Sequence, residues 1–254
     1  MKVLDPDLLL RAYSIGVFPM SDSRDASEVY WVEPRRRAII PLDRFHLSHS
    51  LRKKVRTDRF EVSCDRAFAE VLRRCADRED TWINAEIEAS YVRLHEDGHA
   101  HSIEVWDRSG EAGAELVGGL YGVRLGGAFF GESMFSSRTD ASKVALAWLV
   151  ARLLVGGFRL LDCQFMTEHL KSLGAVEIDQ KAYLQLLSAA VGSVAAGSAE
   201  GSAAGGAAGV SAGSGEGSDG AAAEFGALDR LLARLGAGSP PPGWVISQLL
   251  GQTS

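Results

Sequence analysis

The sequence is poor in cysteine and lacks any long apolar run. Only Cys64, Cys75 and Cys163 occur among 254 residues. They are too few and too widely spaced for a disulfide framework or a zinc site, which favours core thiols in a reducing cytoplasm. No apolar run could cross a bilayer, and the first residues do not resemble a signal peptide. The remaining composition, 46% hydrophobic and 24% charged, is typical of a globular enzyme with one large or two small domains.

The chain is acidic overall, with a net charge of −6, but one segment is strongly basic. Between residues 35 and 59 there are two acidic and nine basic residues, a local charge of +7, the basic ones being Arg35, Arg36, Arg37, Arg44, Arg52, Lys53, Lys54, Arg56 and Arg59. Such a surface can bind a polyanion even on an acidic protein. Ser48 would cap a helix in this segment, whose residues Arg52, Lys53, Lys54 and Arg56 we predict to contact phosphates. A merely solvated charged surface is the alternative.

Two apolar segments contain polar groups that a buried strand does not need. Glu132 interrupts the run from Phe129 to Phe135, and Asp162 and Gln164 follow Leu161. A buried carboxylate is costly unless it is paired or used. Residues at i and i+2 of a strand project from the same face, so Asp162 and Gln164 are expected to point together. These residues predict a reaction centre.

Periodicity and capping residues predict a mixed sheet flanked by helices, an α/β (α+β) fold. We expect helices at about 8–15, 48–56, 65–75, 86–95, 141–154, 167–172 and 180–190, and strands at 29–32, 38–40, 101–106, 115–123, 128–135 and 159–163. Asp65 and Asn84 are the expected N-caps of the third and fourth helices.

Composition divides the chain into four parts. Residues 1–62 are expected to form a small N-terminal domain with the basic segment, and residues 63–190 the catalytic domain. Residues 191–226 are almost entirely Gly, Ala and Ser. Such a segment cannot bury enough apolar surface to fold and should be a flexible linker. Residues 227–254 form a tail that is apolar enough to dock on the body.

Motifs spread over residues 5–187 occur together in one bacterial family. They are Tyr13-x-x-Gly16-x-Phe18-Pro19, Tyr30-Trp31-x-x-Pro34, Thr81-Trp82-Ile83, Gly98-His99-Ala100-His101-Ser102-Ile103-Glu104-x-Trp106, Phe130-Gly131-Glu132-Ser133-Met134-Phe135, Ala141-Ser142-Lys143, Asp162-Cys163-Gln164 and His169-Leu170-x-Ser172-Leu173-Gly174-Ala175. In this order they resemble the leucyl/phenylalanyl-tRNA–protein transferases. The sequence departs from the family at Val32, where a second tryptophan is frequent, and in the Gly/Ala segment and tail.

The resemblance implies a small N-terminal domain followed by an acetyltransferase-like (GNAT) domain. It also implies transfer of Leu, Phe or Met from aminoacyl-tRNA to proteins that begin with Arg or Lys, which marks them for degradation in the N-degron pathway. The donor is an activated ester and the α-amino nucleophile is partly uncharged near neutral pH, so no metal or other cofactor is expected. We expect a cytoplasmic monomer that does not bind membranes.

The resemblance also assigns the polar residues to a catalytic site. Gln164 would accept a hydrogen bond from the attacking amine, Asp162 would orient the Gln164 amide, and Glu132 would attract or hold the cationic acceptor. The alternative is that the two acids belong to a structural hydrogen-bond network.

The same resemblance places two tryptophans, Trp31 and Trp82, in the substrate site, where they could stack on the terminal adenosine or line a side-chain pocket. Met134, Leu120 and Leu161 are the predicted pocket for an apolar side chain unbranched at Cβ. Methionine suits a pocket that accepts several shapes because its side chain repacks easily.

Other functions remain open at this point. A CoA-dependent N-acetyltransferase would need a glycine-rich turn for the pyrophosphate, and the loop at 136–140 has no glycine and contains an acid. A non-enzymatic RNA-binding module would leave Glu132, Asp162 and Gln164 unexplained. His95, His99 and His101 suit a metal only if their rings converge, and a helix ending near Gly98 argues against this, so we interpret them as structural or substrate-lining.

Overall fold

A computed structural model describes residues 3–110, 113–192, 222–235 and 239–251 of the protein. The helices are α1 (Pro6–Ser14), α2 (His49–Arg56), α3 (Phe68–Ala76), α4 (Ala85–Glu96), α5 (Ala141–Val155), α6 (Glu168–Ser172), α7 (Gln180–Gly192), α8 (Ala227–Arg234) and α9 (Pro242–Gly251). The strands are β1 (Phe18–Met20), β2 (Tyr30–Val32), β3 (Arg36–Ile39), β4 (Glu61–Cys64), β5 (Ala100–Asp107), β6 (Glu115–Leu125), β7 (Ala128–Ser136), β8 (Leu160–Asp162) and β9 (Val176–Asp179).

Several helices begin at side chains that accept hydrogen bonds from their first backbone N–H groups. The caps are Asp5 for α1, Ser48 for α2, Asn84 for α4 and Thr167 for α6. The predictions for Ser48 and Asn84 are confirmed. Asp65 is not a cap, because α3 begins only at Phe68. Its backbone is left-handed, with φ 58°, and its carboxylate instead accepts the Ser102 N–H at 2.8 Å.

A mixed sheet forms the centre of the described part of the molecule. Its strand order is β4-β5-β6-β7-β8-β3-β9. β7 and β8 are parallel, and the other neighbouring strands are antiparallel. A separate antiparallel ribbon is formed by β1 and β2, with Phe18 opposite Val32. The predicted α/β (α+β) class with a mixed sheet flanked by helices is confirmed.

Strand β3 joins the N-terminal part of the chain to this sheet. It pairs with β8 at Ile39 and with β9 from Arg36 to Ile39, so it is hydrogen-bonded on both edges. A strand paired on both edges is an integral part of its sheet. The domain limit at residue 62 stays a prediction, and the strand order favours a limit before β3.

Helices cover both faces of the sheet and bury an apolar core on each. α5 packs with α2, α8 and α9 on one face, while α1, α3, α4 and α7 cover the other. Almost every side chain of α5 is buried, because this helix lies between the sheet and the outer helices. A helix that is apolar on all sides is typical of such a position.

The C-terminal tail packs against α5 and α2. Leu228 of α8 and Ile246 and Leu250 of α9 are fully buried. Burial of each apolar side chain of this size contributes about 1.5–3 kcal/mol to the free energy of unfolding. The tail is therefore part of the folded body.

The folded tail begins inside the range predicted to be linker. Phe225 is buried, and its ring stacks on Phe129 with 5.5 Å between the ring centroids. α7 likewise extends to Gly192. The remainder of the predicted linker, residues 193–221, lies outside the described residues.

Candidate active site

The two parallel strands at the centre of the sheet separate and open a cavity. β7 and β8 pair only from Ala128–Leu160 to Phe130–Asp162, after which β8 ends and β7 continues. Beside the unpaired edge of β7 lies a cavity of about 480 Å³, lined mainly by apolar side chains with a few polar groups. This is the usual character of a small-molecule site. The cavity is lined by Phe18, Met20, Arg78, Trp82, Leu120, Tyr121, Gly131, Glu132, Ser133, Met134, Phe135, Ser136, Ser142, Leu146, Leu149, Leu161, Cys163, Gln164, Phe165, Thr167, His169 and Leu170.

Glu132 is the extra residue of a β-bulge between β6 and β7. Tyr121 lies opposite Ser133 and Gly122 lies opposite Gly131, so Glu132 has no residue opposite it. Bulges interrupt the alternation of a strand and redirect a side chain, often next to a functional site. Simple alternation did not predict this bulge, and the facing glycines Gly122 and Gly131 are its only sequence signal.

The Glu132 carboxylate lies against two buried tyrosines. Its oxygens lie 2.8 Å from the Tyr13 hydroxyl and 3.1 Å from the Tyr91 hydroxyl, and the two hydroxyls lie within hydrogen-bond distance of each other. Two hydroxyl protons serve at most two of these three contacts, and all three are hydrogen bonds only when Glu132 is protonated. Burial raises the pKa of Glu132 to about 7, because desolvation outweighs the stabilising hydroxyls. At neutral pH both the carboxylate and the carboxylic acid are therefore populated.

Gln164 reaches the cavity from a left-handed backbone conformation. Its φ is 55°, and only 6% of the residue is exposed. Its side-chain Nε2 donates to Oε1 of Glu132 at 3.3 Å. Because that donor faces Glu132, the amide oxygen remains available to accept a hydrogen bond.

Asp162 lies beneath the cavity wall and is fully buried. Its carboxylate accepts hydrogen bonds from Arg37 Nη2 at 2.6 Å, from the Tyr183 hydroxyl at 2.9 Å and from the Gln164 backbone N–H at 2.9 Å. The predicted common strand face of Asp162 and Gln164 is wrong, because β8 ends at Asp162 and the chain then turns. The Asp162 carboxylate thus contacts the Gln164 backbone, whereas Glu132 contacts its amide.

Arg37 does not belong to the basic surface that the sequence predicts. The residue is only 1% exposed. Its guanidinium lies between the rings of Phe18 and Tyr183, 4.7 and 4.5 Å from their centroids, and Nη1 donates to the Gly16 carbonyl at 2.8 Å. A phosphate cannot reach this charge, which Asp162 neutralises. Arg37, Tyr183, Tyr13 and Tyr91 were all missed as site residues.

All members of the predicted apolar pocket line the cavity. Met134 comes from β7, Leu120 from β6 and Leu161 from β8. The opposite wall, which the sequence did not predict, is formed by Leu146 and Leu149 of α5. The cavity therefore has an apolar part between the sheet and α5.

The two predicted tryptophans differ in position. Trp82 lines the cavity. Trp31 lies on the ribbon strand β2, is 40% exposed and is not among the lining residues. Phe165, directly after Gln164, lines the cavity and is 47% exposed, with its ring edge-on to Phe18. The exposed aromatic ring at the cavity is thus that of Phe165, while Trp82 and Phe135 are half-buried there.

The basic helix α2 presents only part of its charge to solvent. Lys53 and Arg56 are exposed. Lys54 forms an ion pair with Asp140, which directly precedes α5. Arg52 is half-buried, with its guanidinium against the end of α9 at Gly251. The predicted contacts with phosphate stay predictions, and Lys53 and Arg56 are the most accessible of the four.

His95 and His101 serve local structure. His101 Nδ1 lies 2.7 Å from Asp65, and His95 Nδ1 lies 2.8 Å from the Ala100 carbonyl oxygen. Within the described ranges, no group of three or more His, Cys, Asp or Glu residues could hold a metal ion. Nor does that part of the chain contain a helix long and apolar enough to span a membrane.

Comparison with known proteins connects this site to one family. A model of the leucyl/phenylalanyl-tRNA–protein transferases matches residues 39–188, and a model of the N-terminal domain of the same proteins matches residues 3–35. Together the two models cover the whole cavity region.

Similar curated proteins carry the same name. The leucyl/phenylalanyl-tRNA–protein transferase of Rhizorhabdus wittichii is 62% identical over the full length of both chains. That of Novosphingobium aromaticivorans is 52% identical, covering 99% of this chain and 97% of the relative. Among solved structures, the crystal structure of FemX matches with a TM-score of 0.46 at 13% identity, covering 71% of this chain and 70% of that one.

Proposed function

The chain belongs to the leucyl/phenylalanyl-tRNA–protein transferase family and is thus an aminoacyltransferase, and we propose that it moves Leu, Phe or Met from aminoacyl-tRNA to proteins with N-terminal Arg or Lys. The modified protein gains an apolar N-terminal residue, which is a degradation signal in the proposed N-degron role. The reaction joins a cationic acceptor to an ester donor without an external energy source.

One observation carries the proposal: an apolar cavity of about 480 Å³ has Glu132 and Gln164 in its wall. The apolar part, with Leu120, Met134 and Leu161, is suited to the side chain of the transferred amino acid. The flexible Met134 side chain can adapt to Leu, Phe or Met. We expect side chains branched at Cβ to fit this apolar part less well, although shape alone gives only modest selectivity per methyl group.

The chemistry is aminolysis of an ester. The uncharged α-amino nitrogen attacks the carbonyl carbon, and the bond from that carbon to the ribose oxygen breaks. The amine loses a proton, and the ribose oxygen gains one. The free amide oxygen of Gln164 accepts a hydrogen bond from the amine and orients its lone pair towards the carbonyl. Orientation of this kind is a large part of catalysis when the donor is already activated.

Glu132 supplies the negative charge of the site. With a pKa of about 7, it is present as a carboxylate in a large fraction of molecules at neutral pH. The carboxylate attracts the cationic acceptor and can take up a proton from the attacking amine. This division of roles makes Gln164 an orienting residue and Glu132 the better proton acceptor, since an amide is a very weak base.

The tRNA approaches over the aromatic and basic surfaces. The terminal adenosine stacks on Trp82, with Trp31 on the neighbouring ribbon as a second aromatic contact. The exposed charges of Lys53 and Arg56 on α2 bind backbone phosphates, assisted by Arg52 and Lys54. These contacts position the acceptor end of tRNA but carry no chemistry.

A CoA donor fits the site less well. The start of α5 would have to receive the pyrophosphate, yet Asp140 stands there with its carboxylate bonded to Lys54 and Lys143. An anionic ligand at this helix end would meet the negative charge of the Asp140 carboxylate. No observation on the site favours CoA over aminoacyl-tRNA.

The proposal is tested with radiolabelled Leu-, Phe- and Met-tRNA and peptides that differ only in a first residue of Arg, Lys or Ala. We expect transfer to the Arg and Lys peptides, little to the Ala peptide, and none from labelled acetyl-CoA. Ile-tRNA serves as the donor control because its side chain is branched at Cβ. Equal transfer to all three peptides, or transfer from acetyl-CoA alone, would overturn the proposed substrates.

A further inference from the structure

Arg37 is a buried cation that does not line the cavity, yet it is bonded to the groups beneath it. Nε donates to Oδ1 of Asp162 at 2.9 Å, and Nη2 donates to Oδ2 at 2.6 Å. The Tyr183 hydroxyl donates to the same Oδ2 at 2.9 Å. Within the group of Arg37, Asp162 and Tyr183, Oδ2 thus has two donor residues and Oδ1 has one, the Nε of Arg37.

Such a buried pair is not explained by stability alone. Desolvation of two charges cancels much of their attraction, so apolar residues of similar volume are often equally stable in such places. A buried ion pair instead fixes directions, because the guanidinium and the carboxylate meet in one bidentate geometry. The role of the fixed Asp162 carboxylate therefore depends on the group that it binds in turn.

The fixed carboxylate holds Gln164 in an unfavourable conformation. A left-handed φ of 55° is uncommon for a residue with a side chain, and such conformations persist only where their surroundings enforce them. Oδ1 of Asp162 accepts the Gln164 N–H at 2.9 Å. On the other side, the Gln164 carbonyl accepts the N–H of Ala38, the residue after Arg37, at 3.0 Å. Both backbone polar groups of Gln164 are thus held by Asp162 and β3.

We propose that Arg37 and Tyr183 are positioning residues of the transfer reaction, acting through the Asp162 carboxylate on the left-handed Gln164. They set the backbone from which the Gln164 amide reaches Glu132 and the amine. The inference rests on the proposed function, since it concerns the same site. It also explains why arginine stands at position 37, because lysine is a point charge and cannot engage both carboxylate oxygens in one plane.

Arg152 provides a matched control within the same chain. It is 3% exposed and forms a bidentate pair with Asp229, with both N–O distances at 2.6 Å. Its guanidinium also lies over an aromatic ring, that of Phe225 at 5.0 Å. This pair anchors the tail and does not line the cavity. The Asp229 side chain is 57% exposed, so this control separates the loss of a buried arginine, but not of a fully buried ion pair, from the loss of the Arg37 pair.

The experiment compares Arg37→Lys, Arg37→Met and Tyr183→Phe with Arg152→Lys. Single-turnover transfer from Leu-tRNA to an Arg-initiated peptide is measured at saturating tRNA, below the melting midpoint of every variant, and tRNA affinity is measured separately. We expect the rate constant to fall about tenfold in Arg37→Lys and Tyr183→Phe and on the order of 10²-fold in Arg37→Met. tRNA affinity should stay within about threefold, because a positioning defect affects the chemical step. Arg152→Lys should melt earlier but keep the wild-type rate constant.

A wild-type rate constant in folded Arg37→Lys overturns the inference. If neither Arg37 variant folds, Tyr183→Phe decides, because it removes one hydroxyl without changing the packing volume. A rate loss in Arg152→Lys as large as that in Arg37→Lys also overturns it, since the effect is then one of general stability. If neither the wild-type chain nor Arg152→Lys transfers the amino acid at all, the proposed function is wrong, and this inference is not what has failed.

Discussion

At the scale of single residues, the site places its two acids in contrasting surroundings. Glu132 is partly buried and faces hydroxyls and an amide, and its pKa rises to about 7 through desolvation. Asp162 is fully buried but faces the guanidinium of Arg37. Groups that differ in this way can take different roles. We assign charge and proton transfer to Glu132, and backbone positioning to Asp162.

Replacements of Gln164 and of Asp162, which contact each other in the site, should therefore have different effects. Gln164→Ala removes the orienting amide and should slow single-turnover transfer by on the order of 10²-fold, with little change in stability. The matched control is Gln185→Ala, which replaces an exposed glutamine on α7 and should have no effect.

Asp162→Ala leaves Arg37 buried without a counter-charge and should lower the free energy of unfolding by about 3–5 kcal/mol. A wild-type rate in Gln164→Ala, or unchanged urea unfolding in Asp162→Ala, contradicts these roles.

The pKa of about 7 for Glu132 predicts the pH dependence of the rate. Transfer requires that the acceptor amine and Glu132 are both deprotonated, and at low pH both carry a proton. Below pH 7 the logarithm of the single-turnover rate should rise with a slope approaching two in the wild type. In Glu132→Gln the amine alone remains, so the slope should approach one. Equal slopes in both proteins would remove Glu132 from the proton transfer.

The same pKa predicts how stability changes with pH. The folded pKa of about 7 lies above the ordinary value of 4.5, so the folded protein binds more protons than the unfolded chain between these values. Protonation of Glu132 thus stabilises the fold fully below pH 4.5, and this contribution disappears as the pH rises to about 7. Urea unfolding should show the wild type losing on the order of 1–3 kcal/mol over this window relative to Glu132→Gln. Parallel stability curves for the two proteins would contradict the raised pKa.

At the scale of elements, the sequence predicts strands and helix caps that depend only on residues nearby in the chain. Strand β7 and the Ser48 cap of α2 were predicted because alternation and capping are local. The bulge at Glu132 and the turn at Gln164 could not be predicted, since each depends on how a distant strand pairs. Tyr91 and Arg37 were missed for the same reason: they come to the site from α4 and β3. A mixed sheet could be predicted, but not the insertion of β3 between β8 and β9.

The bulge makes Gly122 a test of site geometry. A Cβ at this position would collide with the Phe130 carbonyl oxygen and the Phe129 ring, so the strands would have to move apart. Gly122→Ala should cost about 1–3 kcal/mol of stability through overpacking. The single-turnover rate of transfer should fall by more than this loss of stability explains, because Glu132 would move with the bulge. The control is Gly110→Ala, where no atom of the described residues beyond its chain neighbours lies within 4 Å of the new Cβ. Gly122→Ala with wild-type rate and stability would show that the bulge tolerates a side chain.

At the scale of the whole molecule, the tail behaves as part of the body despite the Gly/Ala segment that precedes it in the sequence. A Cβ at Gly127 would lie 3.1 Å from the Ala190 carbonyl oxygen and 3.8 Å from Cβ of Ala223. The chain on either side of residues 193–221 is therefore close together in space. A connection of a few residues is long enough to join α7 to the tail.

Residues 193–221 should accordingly be replaceable, whereas the tail should not. A loop of about four residues in their place should leave transfer within a few-fold of the wild type. It should raise the free energy of unfolding by about 1–2 kcal/mol, since a shorter loop loses less entropy on closure. Truncation after Gly192 removes the buried side chains Phe225, Leu228, Ile246 and Leu250 as well. The truncation should lower the free energy of unfolding by several kcal/mol, because each of these four side chains contributes about 1.5–3 kcal/mol. Urea unfolding and single-turnover transfer measured on both variants check this. A loop replacement that is as inactive as Gln164→Ala would show that the segment takes part in the reaction.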